Sequence, residues 1–142
     1  MQKITPFLSI LALLVMASLL DGCKSQKQAY KTDFISFGYG GGFAGQETTY
    51  KLMGSGTLLS KTAIRGDFAE LKTIGSREVK EVFKAVSKVN WTEVRLNNPG
   101  NTYRFLSYEK GGQTYKLTWG GGKADVPEQV EFLYNKLSAL TK

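Results

Sequence analysis

The chain of 142 residues contains no histidine and only one cysteine. Without histidine, it lacks the commonest general base of enzymes and the commonest protein ligand of metal ions. Its serine side chains therefore have no imidazole to activate them as nucleophiles. A single thiol also excludes a disulfide within the chain. These absences favour a protein without a catalytic centre, and we predict neither a cofactor nor a metal site.

The N-terminal part of the chain is strongly apolar. Residues 1–22 carry one lysine, Lys3, and an almost unbroken apolar run from Phe7 to Leu20. The run of about 14 residues suits the apolar core of an export signal, whereas a membrane-spanning helix needs roughly 20. We therefore predict that residues 1–22 are a signal peptide.

The four residues around the end of this stretch, Leu20 to Cys23, resemble the lipobox of bacterial lipoproteins. In that family, signal peptidase II cuts before a cysteine whose thiol becomes acylated. Leu20 fills the large aliphatic position, Gly22 the small one and Cys23 the acylated one. Asp21 departs from the small or aliphatic residue that is usual there. The resemblance implies lipidation at Cys23 and attachment to a membrane through its acyl chains, and the alternative is an ordinary buried cysteine.

Residues 23–32 are polar and lack an apolar period, so we predict an unstructured tether that leads to a single domain at 33–142. By analogy with enteric lipoproteins, Lys24 directly after the cysteine favours the outer membrane over the inner one. Surface lipoproteins of Bacteroidota typically carry acidic residues at this place, and the tether has none. We therefore expect an outer-membrane protein that faces the periplasm.

The net charge of the chain is +7, which favours anionic partners. No segment resembles a nucleic-acid-binding module, and an exported protein rarely meets nucleic acid. Anionic lipid head groups and acidic glycans are therefore the favoured partners. Four basic side chains at helical spacing are a candidate anionic contact surface: Arg77, Lys80, Lys84 and Lys88. The alternative for these charges is a solvated helix face.

Alternating apolar and polar residues, interrupted by glycine turns, predict six strands. They cover residues 34–37, 47–53, 57–62, 68–74, 102–108 and 113–119. Apolar residues at helical spacing predict a helix at 77–89, capped by Ser76, and a C-terminal helix after a capping box of Asp125 and Glu128. The helix side chains predicted to be buried are Val82, Phe83, Val86, Leu133 and Leu137.

The resulting element order, ββββ-α-ββ-α, favours the α+β class. Hairpin turns between neighbouring strands indicate an antiparallel sheet of about six strands. Two one-sided helices need an apolar surface to cover, so we expect both amphipathic helices on one face of this sheet. A lipobox followed by a small domain rich in glycine and tyrosine resembles uncharacterised small lipoproteins of Bacteroidota, a resemblance that assigns no functional residue.

Residues 38–45 are rich in glycine and are predicted to form a loop. Gly40 to Gly45 match G-x-G-x-x-G, but the next segment favours a strand, whereas a dinucleotide site requires a helix, so we predict no nucleotide. Bare backbone beside aromatic rings instead indicates a contact site for a ligand or a protein partner. Its candidate residues are Tyr39, Gly40, Gly41, Gly42, Phe43 and Trp119. The alternative is a loop that only connects two strands.

The sequence thus favours a lipid-anchored cell-envelope protein with a non-enzymatic binding or interaction role, directed at an envelope protein or an anionic glycan. Two alternatives stay open: a hydrolase that acts on envelope glycan or peptide, and a purely structural lipoprotein. The candidate carboxylates of a hydrolase, Glu47, Asp67 and Glu70, have no spacing that places two of them together.

Overall fold

The structure, a computed structural model, describes residues 33–63, 66–120 and 125–142. The predicted signal peptide, the lipidation site at Cys23 and the tether at 23–32 lie outside the described residues. The elements within these ranges are β1 (Phe34–Gly41), β2 (Gln46–Met53), β3 (Thr57–Lys61), β4 (Ala69–Thr73), α1 (Ser76–Val86), β5 (Asn97–Asn98), β6 (Thr102–Lys110), β7 (Gln113–Trp119) and α2 (Glu128–Ala139).

The seven strands of the described chain form one sheet in the order β4-β3-β2-β1-β6-β7-β5. Every neighbouring pair is antiparallel except β5 and β7, which run parallel. The predicted mixture of a mostly antiparallel sheet and two helices is therefore confirmed, with one strand more than the predicted six. The additional strand, β5, has only two residues, which is too short to produce an alternating pattern in a sequence.

Strand β1 continues to Gly41, so the prediction of a loop over residues 38–45 is wrong for its first half. Only residues 42–45 form the turn between β1 and β2. The glycines in β1 serve close packing between strands. A Cβ atom at Gly38 would collide with the backbone carbonyl oxygen of Thr48, and one at Gly40 would lie 2.8 Å from the hydroxyl oxygen of Tyr103. Glycine is found within a strand where such a close approach is needed.

The hydrophobic core joins the helices to one set of alternating strand positions. In β1 these positions are Ile35 and Phe37, which pair with Tyr108 and Leu106 of β6. The five helix side chains predicted to be buried are confirmed, with exposed fractions between 0% and 6%. Burial of each large apolar side chain of this kind contributes about 1.5–3 kcal/mol to folding.

The predicted helix ends are corrected in three places. The N-cap residue of α1 is Gly75, so Ser76 does not cap this helix. The N-cap residue of α2 is Pro127, so the predicted capping box of Asp125 and Glu128 does not form. Neither N-cap residue forms a side-chain hydrogen bond to its helix. Helix α1 also ends at Val86 instead of residue 89. There the indole N–H of Trp91 donates to the Val86 carbonyl oxygen at 2.9 Å, so a tertiary hydrogen bond satisfies one of the carbonyl groups that the end of a helix exposes.

Because Phe83 is 6% exposed and belongs to the core cluster, we expect Phe83→Ala to lower the free energy of unfolding by about 3 kcal/mol. Urea unfolding measures the change. The matched control is Phe132→Ala in α2, since that ring is 59% exposed and its loss should cost less than about 0.5 kcal/mol. A loss below about 1 kcal/mol for Phe83→Ala would contradict the assignment of this face of α1 to the core.

Candidate functional site

A groove of about 880 Å³ lies where the β1–β2 turn, the start of β6 and the end of β7 meet. Its volume is in the range typical of small-molecule sites. Five of the six predicted contact residues line it: Tyr39, Gly40, Gly41, Phe43 and Trp119. The sixth, Gly42, belongs to the adjoining turn, where its backbone N–H donates to the carbonyl oxygen of Asn101 at 2.7 Å.

The turn that borders the groove depends on glycine for its backbone conformation. Gly41 and Gly42 have φ values of 92° and 76°, and Gly45 has a φ of 58°. Other residues rarely adopt these angles. The turn carries Phe43 at its tip with the ring fully exposed to solvent, and Tyr39 near the end of β1 is 53% exposed. Two large aromatic rings are therefore available at the rim of the groove.

Cross-strand register aligns four lining residues in one row across four strands. Tyr39 of β1 pairs with Thr48 of β2 on one side and with Arg104 of β6 on the other, and Arg104 pairs with Trp119 of β7. Directly opposed residues of an antiparallel pair project from the same face of the sheet, with Cβ atoms about 4.5–5.5 Å apart. The row thus places a hydroxyl, a phenol, a guanidinium and an indole side by side.

Helix α2 holds the guanidinium of Arg104 in place. One of its N–H groups donates to Glu131 at 3.2 Å, and the guanidinium carbon lies 5.4 Å from the centre of the Tyr134 ring. The Tyr134 hydroxyl in turn donates to the carbonyl oxygen of Gly38 at 3.2 Å, and burial raises the pKa of this phenol. Arg104 is still 51% exposed, so part of its donor set faces solvent.

Trp119 contributes a hydrogen-bond donor that no described residue satisfies. The side chain is 4% exposed, and its ring meets Tyr134 edge-on at 5.3 Å. Its Nε1 atom is buried and has no partner within the described ranges. The other tryptophan, Trp91, donates from the same atom to a backbone carbonyl. A buried donor without an acceptor costs about 1–3 kcal/mol, and Trp119 is one of the residues that line the groove.

Tyr103 also lines the groove, and its hydroxyl donates to Glu47 at 2.7 Å. Thr49 donates to the other oxygen of the same carboxylate at 3.1 Å. The hydrogen bond to Glu47 raises the pKa of Tyr103, with burial adding to the effect. Both oxygens of Glu47 are therefore engaged by neighbouring hydroxyls. Among the described lining residues, Arg104 is the one with a charged side chain.

Arg104 was not predicted as a site residue, although the residue pattern of β6 indicates that its position is unusual. The alternation in β6 places Arg104 in phase with the buried residues Leu106 and Tyr108. A charged side chain in phase with an apolar face is unusual and indicates either an ion pair or a functional role. Its neighbours Tyr39 and Trp119 come from distant parts of the chain, and only the sheet order reveals that they adjoin it.

The predicted basic surface of α1 does not adjoin this groove through any of its four residues. Arg77 lies 3.6 Å from Glu81, and Lys136 of α2 lies 3.2 Å from the same carboxylate. Lys136 lowers the pKa of Glu81, and Arg77 contributes to the shift. Lys80 and Lys84 stay exposed on the helix, whereas Lys88 follows its end. The row of four charges is thus partly neutralised and shorter than the sequence predicted.

The described residues bring together no catalytic group that a hydrolase would need. Glu47 is in β2 and Glu70 in β4, on opposite sides of β3, and Glu70 accepts a hydrogen bond from Thr73. One S-x-x-K match, Ser107 to Lys110, lies in β6. Residues three apart in a strand project from opposite faces, so this serine and lysine cannot form a dyad. No group of three His, Cys, Asp or Glu suited to a metal ion occurs among the described residues.

No helix within the described ranges is long and apolar enough to cross a membrane. Comparison with known protein families finds no family model that matches the chain, and a search of curated proteins finds no match.

Proposed function

We propose that this protein is a lipid-anchored, non-enzymatic binding protein of the bacterial cell envelope and that the groove at the end of the sheet is its ligand site. The lipobox resemblance at Cys23 supports the anchor and the outer-membrane, periplasm-facing location. The observation that carries the binding role is the indole N–H of Trp119, which is buried and unpartnered among the described residues, in a side chain that lines the groove. A ligand acceptor at this atom would remove the cost of leaving the donor unsatisfied.

The position of the groove suits a protein tethered through its N-terminus. The proposed tether joins the domain at Asp33, directly before β1, and the groove lies at the other end of this strand. The strand has eight residues, which at roughly 3.3 Å per residue corresponds to about 26 Å. Asp33, the first described residue, therefore lies at the opposite end of β1 from the groove.

A hydrolase is the weaker candidate because the described lining of the groove contains no carboxylate. Glycoside hydrolysis requires two such groups across the scissile bond. A purely structural role would not explain why the rings of Tyr39 and Phe43 are exposed or why the indole N–H of Trp119 has no described partner. Binding accounts for both features with no additional group.

Photo-crosslinking in intact cells tests the binding role. A photoreactive phenylalanine analogue at position 43 should yield adducts of defined mass, because this side chain is fully exposed at the rim. The control places the analogue at Leu71, which is 46% exposed in the edge strand β4 and does not line the groove. Equal adducts from both positions, or none from position 43, would contradict a ligand site in the groove.

A further inference from the structure

We infer that the ligand of the groove is an acidic saccharide, a sugar chain that carries carboxylate groups. This inference rests on the proposed function, since it names the chemistry of a ligand for the same site. Arg104 binds a carboxylate of the sugar, Trp119 donates to one of its oxygen atoms, and the rings of Tyr39 and Phe43 pack against its C–H faces.

The charge of the groove selects an anionic ligand. Arg104 is the charged side chain among the described lining residues, and its ion pair with Glu131 of α2 at 3.2 Å offsets part of its charge while leaving the side chain 51% exposed. A guanidinium has five N–H donors in a planar fork that matches a carboxylate. The structure records one hydrogen bond from this group, to Glu131 at 3.2 Å. The contact with α2 thus orients the guanidinium, and the 51% exposure of the side chain leaves further donors open to solvent.

The neutral part of the lining matches a molecule rich in hydroxyl groups. Hydroxyl and amide side chains both donate and accept hydrogen bonds, as sugar hydroxyls do. Apart from the tyrosines, the described lining has four such side chains: Gln46, Thr48, Thr62 and Thr102. Aromatic rings have electron-rich faces that attract the partly positive C–H groups of a sugar ring. Polar groups of both kinds beside flat apolar surfaces suit a saccharide better than a lipid chain.

The two tryptophans provide an internal control for a binding experiment. The chain has only Trp91 and Trp119, so a ¹⁵N-labelled sample of the full chain in detergent gives two indole N–H signals. Trp119→Phe assigns them by removing one. A trimer of galacturonic acid should shift the Trp119 signal in a saturable manner. The signal of Trp91 should stay in place, because its N–H is held by the carbonyl of Val86.

Two comparisons then test whether the site prefers a saccharide that carries carboxylate groups. The neutral galactose trimer should bind about tenfold more weakly than the galacturonic acid trimer, a difference that corresponds to about 1.4 kcal/mol. Arg104→Gln should reduce the affinity for the acidic trimer to about that for the neutral one. Arg104→Lys keeps the charge but loses the planar fork, so an intermediate affinity is expected. Urea unfolding of each variant verifies that the domain remains folded.

Equal affinity for the acidic and neutral trimers would overturn the role of Arg104 and hence the acidic class. If neither trimer shifts the Trp119 signal while position 43 still yields adducts in cells, the saccharide assignment is wrong and the binding function stands. If the signal does not shift and position 43 yields no adducts, the binding function itself fails.

Discussion

Replacing Cys23 with alanine should abolish fatty-acid labelling of the protein and prevent removal of residues 1–22. In the lipobox family that Leu20 to Cys23 resemble, the acyl group is attached through the cysteine thiol before the signal peptide is cut. Alanine has no thiol, so both steps stop. The expected change is complete loss of label, which is the largest effect that any single substitution in this chain should produce.

The measurement is growth with an alkyne-bearing fatty acid, followed by gel detection and intact mass. The matched control is Ser25→Ala, two residues further on, which leaves the thiol in place and should be labelled and cut like the original chain. Equal labelling of the Cys23→Ala protein would contradict acylation at this site. Absence of label in the unaltered protein would favour the alternative of an ordinary buried cysteine.

If Cys23 is acylated as we propose, the energetics of acyl chains allow a single cysteine to suffice as an anchor. Each buried CH₂ group of an acyl chain contributes about 0.8 kcal/mol to membrane binding. One chain gives only marginal attachment, whereas the two or three chains of a bacterial lipoprotein hold a small domain firmly. The net charge of +7 then adds attraction to anionic head groups without having to supply the anchoring itself.

Strand and helix types were predictable here because the local pattern and the tertiary environment agree. In β7, Tyr115, Leu117 and Trp119 alternate with polar residues, and the strand forms at the predicted 113–119. In α1, Val82, Phe83 and Val86 recur at helical spacing and are all buried. One face of each element packs against the core, so the spacing of apolar residues in the sequence matches the spacing of buried residues in the structure.

The predictions failed where a partner distant in the sequence decides the structure. Glycine at 38 and 40 indicates a loop by propensity, but the space between β1 and its neighbours admits no Cβ there. The groove was predicted in part, since Tyr39, Phe43 and Trp119 stand out by residue type. Arg104 joins them only through cross-strand register.

The close packing at Gly38 leads to the second large effect. Gly38→Ala should lower the free energy of unfolding by about 4 kcal/mol, above the range usual for overpacked positions. The added Cβ would collide with the carbonyl oxygen of Thr48 and lie 3.0 Å from Cζ of Phe105. Because β1 pairs with both β2 and β6, neither side can retreat without loss of backbone hydrogen bonds.

The matched control is Gly75→Ala, which adds the same atom at the N-cap of α1. A Cβ at Gly75 has no described atom within 4 Å, and the backbone φ of −61° suits any residue. This substitution should leave stability unchanged or raise it by about 0.4–1 kcal/mol, because alanine has fewer unfolded conformations. Urea unfolding of the two variants compares one added methyl group in two environments.

A double-mutant cycle identifies which obstacle matters at Gly38. If the Phe105 ring is the obstacle, Gly38→Ala combined with Phe105→Ala should recover part of the loss, since contacting residues are not additive. If the Thr48 carbonyl is the obstacle, the two losses should add, because removal of the ring leaves the backbone in place. A Gly38→Ala loss below about 1 kcal/mol would mean that residues 38–41 are not a paired strand. The row from Thr48 through Tyr39 and Arg104 to Trp119 would then lose its basis, because that row requires β1 to keep its register as far as the groove.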